Sequence, residues 1–71
     1  MKIEPNKQLM FECRTLVPKM GVVDAHKLAS IAGCYEMKCY LGMSKEVAEL
    51  EIKLRQYIYK ARQQLAKQQE V

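Results

Sequence analysis

Three cysteines and one histidine are the residues of this chain best suited to metal binding or nucleophilic chemistry. Cys34 and Cys39 lie five residues apart, and a helix would turn their side chains about 140° away from each other. The chain has no Cys-x-x-Cys pair, the spacing typical of structural zinc sites. Nothing marks His26 and a cysteine such as Cys13 as an activated pair. We therefore predict no metal, no cofactor and no catalytic site, and interpret the thiols as small buried hydrophobes.

Other catalytic patterns are missing from the sequence as well. It contains no glycine-rich phosphate loop and no Ser/His/Asp pattern, and it marks out no carboxylate pair. A helical chain of 71 residues also has little room for a substrate cavity of several hundred Å³. We expect a protein that is not an enzyme and has no small-molecule substrate.

Length and composition indicate one small domain covering residues 1–71, near the lower size limit for a self-sufficient core. Hydrophobic residues make up 49% and charged residues 28% of the chain, which argues against disorder. We find no signal-peptide pattern and no apolar run of about 18 residues. With an odd number of cysteines, this predicts a cytoplasmic protein without membrane association. The net charge of +4 allows attraction to nucleic acid or to an acidic protein.

The elements around these residues are predicted to be helices. Asn6 can cap a first helix over about 6–17, which Pro18 would end. Asp24 can cap a second helix over about 24–41, followed by Gly42 as its C-terminal glycine and Ser44 as the next cap. The prediction is an all-α fold of three helices: a helical hairpin of about 24–41 and 44–68, with the shorter N-terminal helix packed across it.

The helix over residues 44–68 has the clearest periodicity. Its main apolar face follows the i, i+3, i+4, i+7 pattern and consists of Val47, Leu50, Leu54, Tyr57, Ile58, Ala61 and Leu65. A second, narrower stripe lies well round the helix and consists of Ala48, Ile52, Tyr59 and Ala66. The protomer can cover one face, and the other then needs a partner.

This second stripe leads to our main functional prediction, a regulatory protein-interaction module. The mechanism would be burial of a helix face by a protein partner, or by a second copy in a homodimer. The module would act as an adaptor, a chaperone-like subunit or an inhibitor. Arg and Tyr are common interface anchors, so the predicted partner-binding residues are Ile52, Arg55, Tyr59, Arg62 and Ala66.

An alternative interpretation rests on residues 25–43. Leu28-Ala29, then Gly33 four positions after the alanine, then Cys34 and Cys39 supply a small residue, a turn glycine and two apolar positions. This stretch resembles the DNA-binding helix-turn-helix of small phage repressors. The resemblance implies a sharp turn at Gly33 and a DNA-binding transcriptional regulator of phage or plasmid type.

In that alternative, nucleic acid would be contacted by Tyr35, Lys38, Lys53 and Lys60. From Lys53 to Lys67 there are five basic residues and no acidic one, a charge pattern that would attract phosphates. The same charges also fit a solvated helix face stabilised by Glu–Lys and Glu–Arg pairs at i, i+4 spacing.

Overall fold

The fold is made of three α-helices and one short 3-10 helix. A computed structural model describes residues 2–69. Helix α1 spans Lys7–Leu16, a 3-10 turn spans Val17–Lys19, α2 spans Val22–Leu41 and α3 spans Ser44–Gln69. The predicted all-α arrangement is confirmed: α2 and α3 pack side by side, and the shorter α1 packs against both. The molecule measures 48 × 18 × 16 Å.

Helix α1 begins and ends where the sequence indicates. The Asn6 side chain accepts hydrogen bonds from the backbone N–H groups of Gln8 and Leu9, at 3.0 and 3.2 Å. These bonds satisfy two donors that the first turn of a helix leaves unpaired. At the other end, the α-helix stops at Leu16 and a 3-10 turn containing Pro18 follows.

Two predicted caps are wrong by a few residues. Helix α2 begins earlier than expected, with Gly21 at its N-cap, so Asp24 lies inside the first turn. Its carboxylate there still complements the positive end of the helix dipole. At the start of α3, the Met43 carbonyl accepts a hydrogen bond from the Val47 N–H at 2.9 Å. Met43 therefore occupies the N-cap position, and Ser44 is the first helical residue.

Gly42 makes the reversal between α2 and α3 possible. Its backbone is left-handed, with φ 72° and ψ 27°, a conformation that costs other L-residues about 1–2 kcal/mol. The Gly42 N–H donates to the Cys39 carbonyl, and the Met43 N–H donates to the Lys38 carbonyl, both at 3.1 Å. This Schellman arrangement satisfies carbonyls in the last turn of α2 and turns the chain into α3.

The core lies between the three helices and contains residues from each. Its buried hydrophobic members are Leu9, Cys13, Leu16, Leu28, Tyr35, Cys39, Val47, Leu54, Ile58 and Ala61. All seven residues of the main apolar face predicted for α3 are buried or partly buried. The interior of the fold therefore uses that face and leaves the second stripe uncovered.

Candidate functional site

The second apolar stripe of α3 is exposed. Ile52 is 57% and Tyr59 65% exposed, and Ala48 and Ala66 are also exposed. A single exposed apolar residue is ordinary on a protein surface. Here two large side chains seven residues apart lie along one line of the same helix, so they can contact one partner together.

The two arginines beside this stripe form ion pairs within the protomer. The Arg55 Nη1 atom lies 3.4 Å from Glu51 Oε1, and the Arg62 Nη2 atom lies 3.3 Å from Glu12 Oε1 on α1. Both arginine side chains are more than half exposed. The carboxylate partners Glu51 and Glu12 are only 26% and 19% exposed. Each guanidinium has five N–H donors, so its solvent-facing donors can bind an incoming carboxylate while the internal pair is kept.

A groove between α1 and α3 continues this surface. It has a volume of about 330 Å³. Its lining includes Leu9, Glu12, Arg55, Ile58, Tyr59 and Arg62. The α1 contribution was not predicted, because the contact between Glu12 and Arg62 joins residues fifty positions apart and has no local signal. The candidate site is therefore the α3 stripe together with the groove along α1.

The structure contradicts the helix-turn-helix interpretation of residues 25–43. Helix α2 runs without interruption from Val22 to Leu41, so the turn expected at Gly33 does not form. Within residues 2–69, only Gly42 has a positive φ. The small and apolar residues that resemble the motif are instead parts of one continuous helix.

The four residues predicted to contact nucleic acid differ in their exposure to solvent. Tyr35 is fully buried and has no access to a groove of DNA, which corrects its predicted role. Lys38 is partly buried, and its Nζ atom lies 3.6 Å from Glu46 Oε2 on α3. Lys53 and Lys60 are exposed on α3. Only these two lysines keep the accessibility that the alternative requires.

The buried Tyr35 hydroxyl joins all three helices. It accepts a hydrogen bond from the Asn6 backbone N–H and donates one to Glu51 Oε2, both at 2.8 Å. Burial, with Glu51 close by, raises the pKa of Tyr35 to about 12. Its role is therefore structural.

The cysteines differ in accessibility. Burial raises the pKa of both the Cys13 and Cys39 thiols, so neither has the lowered pKa of a reactive cysteine. Cys34 is exposed on α2. Among residues 2–69, no group of three or more His, Cys, Asp or Glu side chains is arranged to hold a metal ion.

A second apolar surface was not predicted from the sequence. On α2, Val22, Val23, Met37, Tyr40 and Leu41 are each between 55% and 76% exposed. They point away from the buried Leu28, Tyr35 and Cys39 of the same helix. The sequence pattern could have indicated this, because α2 has apolar or small residues on nearly every side and few charges, which is typical of a helix covered on more than one face.

Comparisons with protein-family models, with curated proteins and with solved structures find no match to this chain. Over the part of the chain that the structure describes, no helix is both long enough and apolar enough to cross a bilayer. The class that the fold defines is a small all-α protein of three helices.

Proposed function

We propose that the protein is a small cytoplasmic interaction module that binds another protein through the exposed stripe of α3. It would act as an adaptor, a chaperone-like subunit or an inhibitor. The observation that carries the proposal is the exposure of Ile52 and Tyr59 on one line of the helix. Arg55 and Arg62 stand at one edge of the stripe, and Ala66 extends it. Tyrosine and arginine are among the residues that most often carry binding energy at protein interfaces.

Two side chains, Ile52 and Tyr59, would supply the largest single contributions to binding on this surface. Complete burial of a large apolar side chain contributes about 1.5–3 kcal/mol, and Ile52 and Tyr59 are more than half exposed. Removing both contacts should cost about 3 kcal/mol, a loss of affinity of roughly 150-fold. Side chains of the groove along α1 would add contacts around this centre.

The charges beside the stripe define the chemistry of the partner. Arg55 and Arg62 lie one heptad apart on the same edge, and their present carboxylate partners Glu51 and Glu12 show which groups they accept. The complementary ligand is an amphipathic helix whose apolar residues repeat at heptad spacing and whose flank carries Asp or Glu. Such a helix would lie along α3 in the helix-in-groove mode.

Peptide binding tests the proposal directly. The probe is a fluorescently labelled synthetic helix with leucines at heptad spacing and glutamates on one flank, measured by anisotropy. We expect the wild type to bind it, and the Ile52→Asp/Tyr59→Asp variant to bind at least 100-fold more weakly while remaining helical by circular dichroism. The matched control is Gln56→Asp/Gln64→Asp, which adds the same charge at exposed positions of α3 outside the stripe.

A second peptide, with lysine in place of each glutamate, tests the role of the arginines. The proposal expects weaker binding of the lysine peptide and a decrease in glutamate-peptide affinity as salt rises. Equal binding of the two peptides, or equal binding by the wild type and the Ile52→Asp/Tyr59→Asp variant, contradicts it. Unfolding of that variant would mean that the stripe belongs to the core.

A further inference from the structure

The outward face of α2 carries a regularly spaced row of residues, with large apolar side chains only towards its two ends. Its residues alternate in steps of three and four, the spacing of the a and d positions of a coiled coil. They are Val23, His26, Ser30, Gly33, Met37 and Tyr40. Every one of them is exposed, and none is an acidic residue, a lysine or an arginine. The buried Leu28 and Tyr35 occupy the opposite side of the helix.

Nothing inside the protomer explains why a glycine, Gly33, lies at the centre of this face. A glycine within a helix costs about 1 kcal/mol relative to alanine. A Cβ atom added at Gly33 would meet nothing within 4 Å, and the residue is in ordinary helical backbone. Neither packing nor conformation within this chain requires a glycine there. What a missing side chain does provide is close approach of another backbone from outside.

We propose that α2 pairs with the α2 helix of a second copy of this chain, antiparallel and in a register centred between Ile31 and Ala32. In this register Val23 lies opposite Tyr40 of the other copy, and Ser30 lies opposite Gly33. A two-fold axis generates each contact twice, which is the self-complementarity that a symmetric dimer needs. Small residues meet at the centre and large ones meet at both ends.

The charges and the exposed area favour a second copy as the occupant. None of the six seam residues is an acidic residue, a lysine or an arginine, so no charge repulsion arises between Asp, Glu, Lys or Arg side chains of the two seams. Val23, Met37 and Tyr40 are the large apolar residues of the seam, and Val22 and Leu41 lie beside it; all five are at least 55% exposed. At about 100 Å² for each, their complete burial in two copies would remove at most roughly 1,000 Å² of apolar surface from water, which is near the lower end of specific interfaces. The dimer should therefore dissociate on dilution.

Sedimentation velocity over a concentration series tests this dimer. We expect the wild type to change from monomer to dimer as concentration rises, and Gly33→Glu to weaken the dimer at least tenfold. Gly33→Glu should melt no lower than the wild type at a dilution where both are monomeric, because its side chain points into open space. Gln56→Glu, which adds one negative charge at an exposed position of α3, serves as the control for charge. This control and the Ile52→Asp/Tyr59→Asp variant should both dimerise like the wild type, which separates this seam from the α3 stripe.

Cysteine cross-linking tests the orientation. In a Cys34→Ser background, Val23→Cys and Tyr40→Cys chains are oxidised separately and as a mixture. If the pair is antiparallel in this register, we expect a disulfide-linked dimer in the mixture and little disulfide-linked dimer from either variant alone. Cross-linking of each variant with itself would indicate a parallel pair and overturn the register. A wild type that stays monomeric at millimolar concentration, or a dimer that persists in Gly33→Glu, overturns the proposal.

Discussion

Tyr35 is the residue whose hydroxyl group should matter most for the stability of the fold, because it links all three helices. Replacing Tyr35 with phenylalanine removes the hydroxyl that pairs with the Asn6 N–H and with Glu51 Oε2, although Glu51 Oε1 keeps Arg55. The expected cost is about 1–3 kcal/mol at neutral pH. Chemical denaturation of the wild type and Tyr35→Phe measures this difference. Tyr59→Phe, which removes an exposed hydroxyl, is the control and should change stability by less than about 0.5 kcal/mol.

We also expect the stability difference between the wild type and Tyr35→Phe to depend on pH. Below pH 10 the Tyr35 hydroxyl is protonated in both the folded and the unfolded state, so its contribution is fully present. Above pH 10 the unfolded chain ionises first, because the folded-state pKa is raised to about 12, and stability falls as pH rises through that interval. The stability difference between the wild type and Tyr35→Phe should shrink by about 2 kcal/mol from pH 10 to 12. A constant difference would contradict the raised pKa.

At the residue scale, the sequence was sufficient to predict a residue's structural role where that role depends on neighbours in the chain. The Asn6 cap and the Gly42 turn involve bonds to residues within a few positions, so their residue types predict them. The burial of Tyr35 could not be predicted, because its hydrogen-bond partners are 29 and 16 residues away. In the sequence alone, a tyrosine beside a possible turn glycine is equally compatible with a surface role.

At the scale of elements, the glycines of α2 and of the turn after it provide a paired prediction. Gly33→Ala should raise the free energy of unfolding by about 1 kcal/mol, because the helix gains a better helix former and no atom obstructs the methyl group. Gly42→Ala should lower it by about 1–2 kcal/mol, because φ is positive there. Thermal and denaturant unfolding below the dimerisation range measure both. The same sign for both substitutions would contradict the structure.

The different roles of Gly33 and Gly42 also explain why the sequence allowed two interpretations of α2, one continuous helix or a helix-turn-helix. An isolated glycine between apolar segments fits either a turn or a helix that another helix approaches closely, and local propensity does not separate the two. Helix α3 has no glycine or proline, and its main apolar face is regular over several turns, so both its extent and its buried side were predictable. The exposed face of α2 was not predicted, because His26, Ser30 and Gly33 separate its large apolar residues.

At the scale of the whole molecule, the charge distribution predicts weak and nonspecific contact with DNA. Lys53 and Lys60 are exposed, but no recognition helix follows a turn at Gly33. We expect duplex binding at about 150 mM salt no tighter than about 1 µM, without sequence preference. Anisotropy titrations at several salt concentrations measure it, with Lys53→Ala/Lys60→Ala as the comparison. Tight binding whose affinity falls steeply with salt would favour the DNA-binding alternative.

The amino-terminal segment of the chain has a practical consequence for all of these measurements. The Ile3 N–H donates to the Cys39 carbonyl at 2.8 Å, and the Lys2 ammonium lies 5.1 Å from the centre of the Tyr40 ring. Because Lys2 and Ile3 lie against the end of α2, an affinity tag fused to the amino terminus would be attached close to Tyr40. Purification handles belong at the opposite terminus, beyond α3, or should be removed by a protease before assembly is measured.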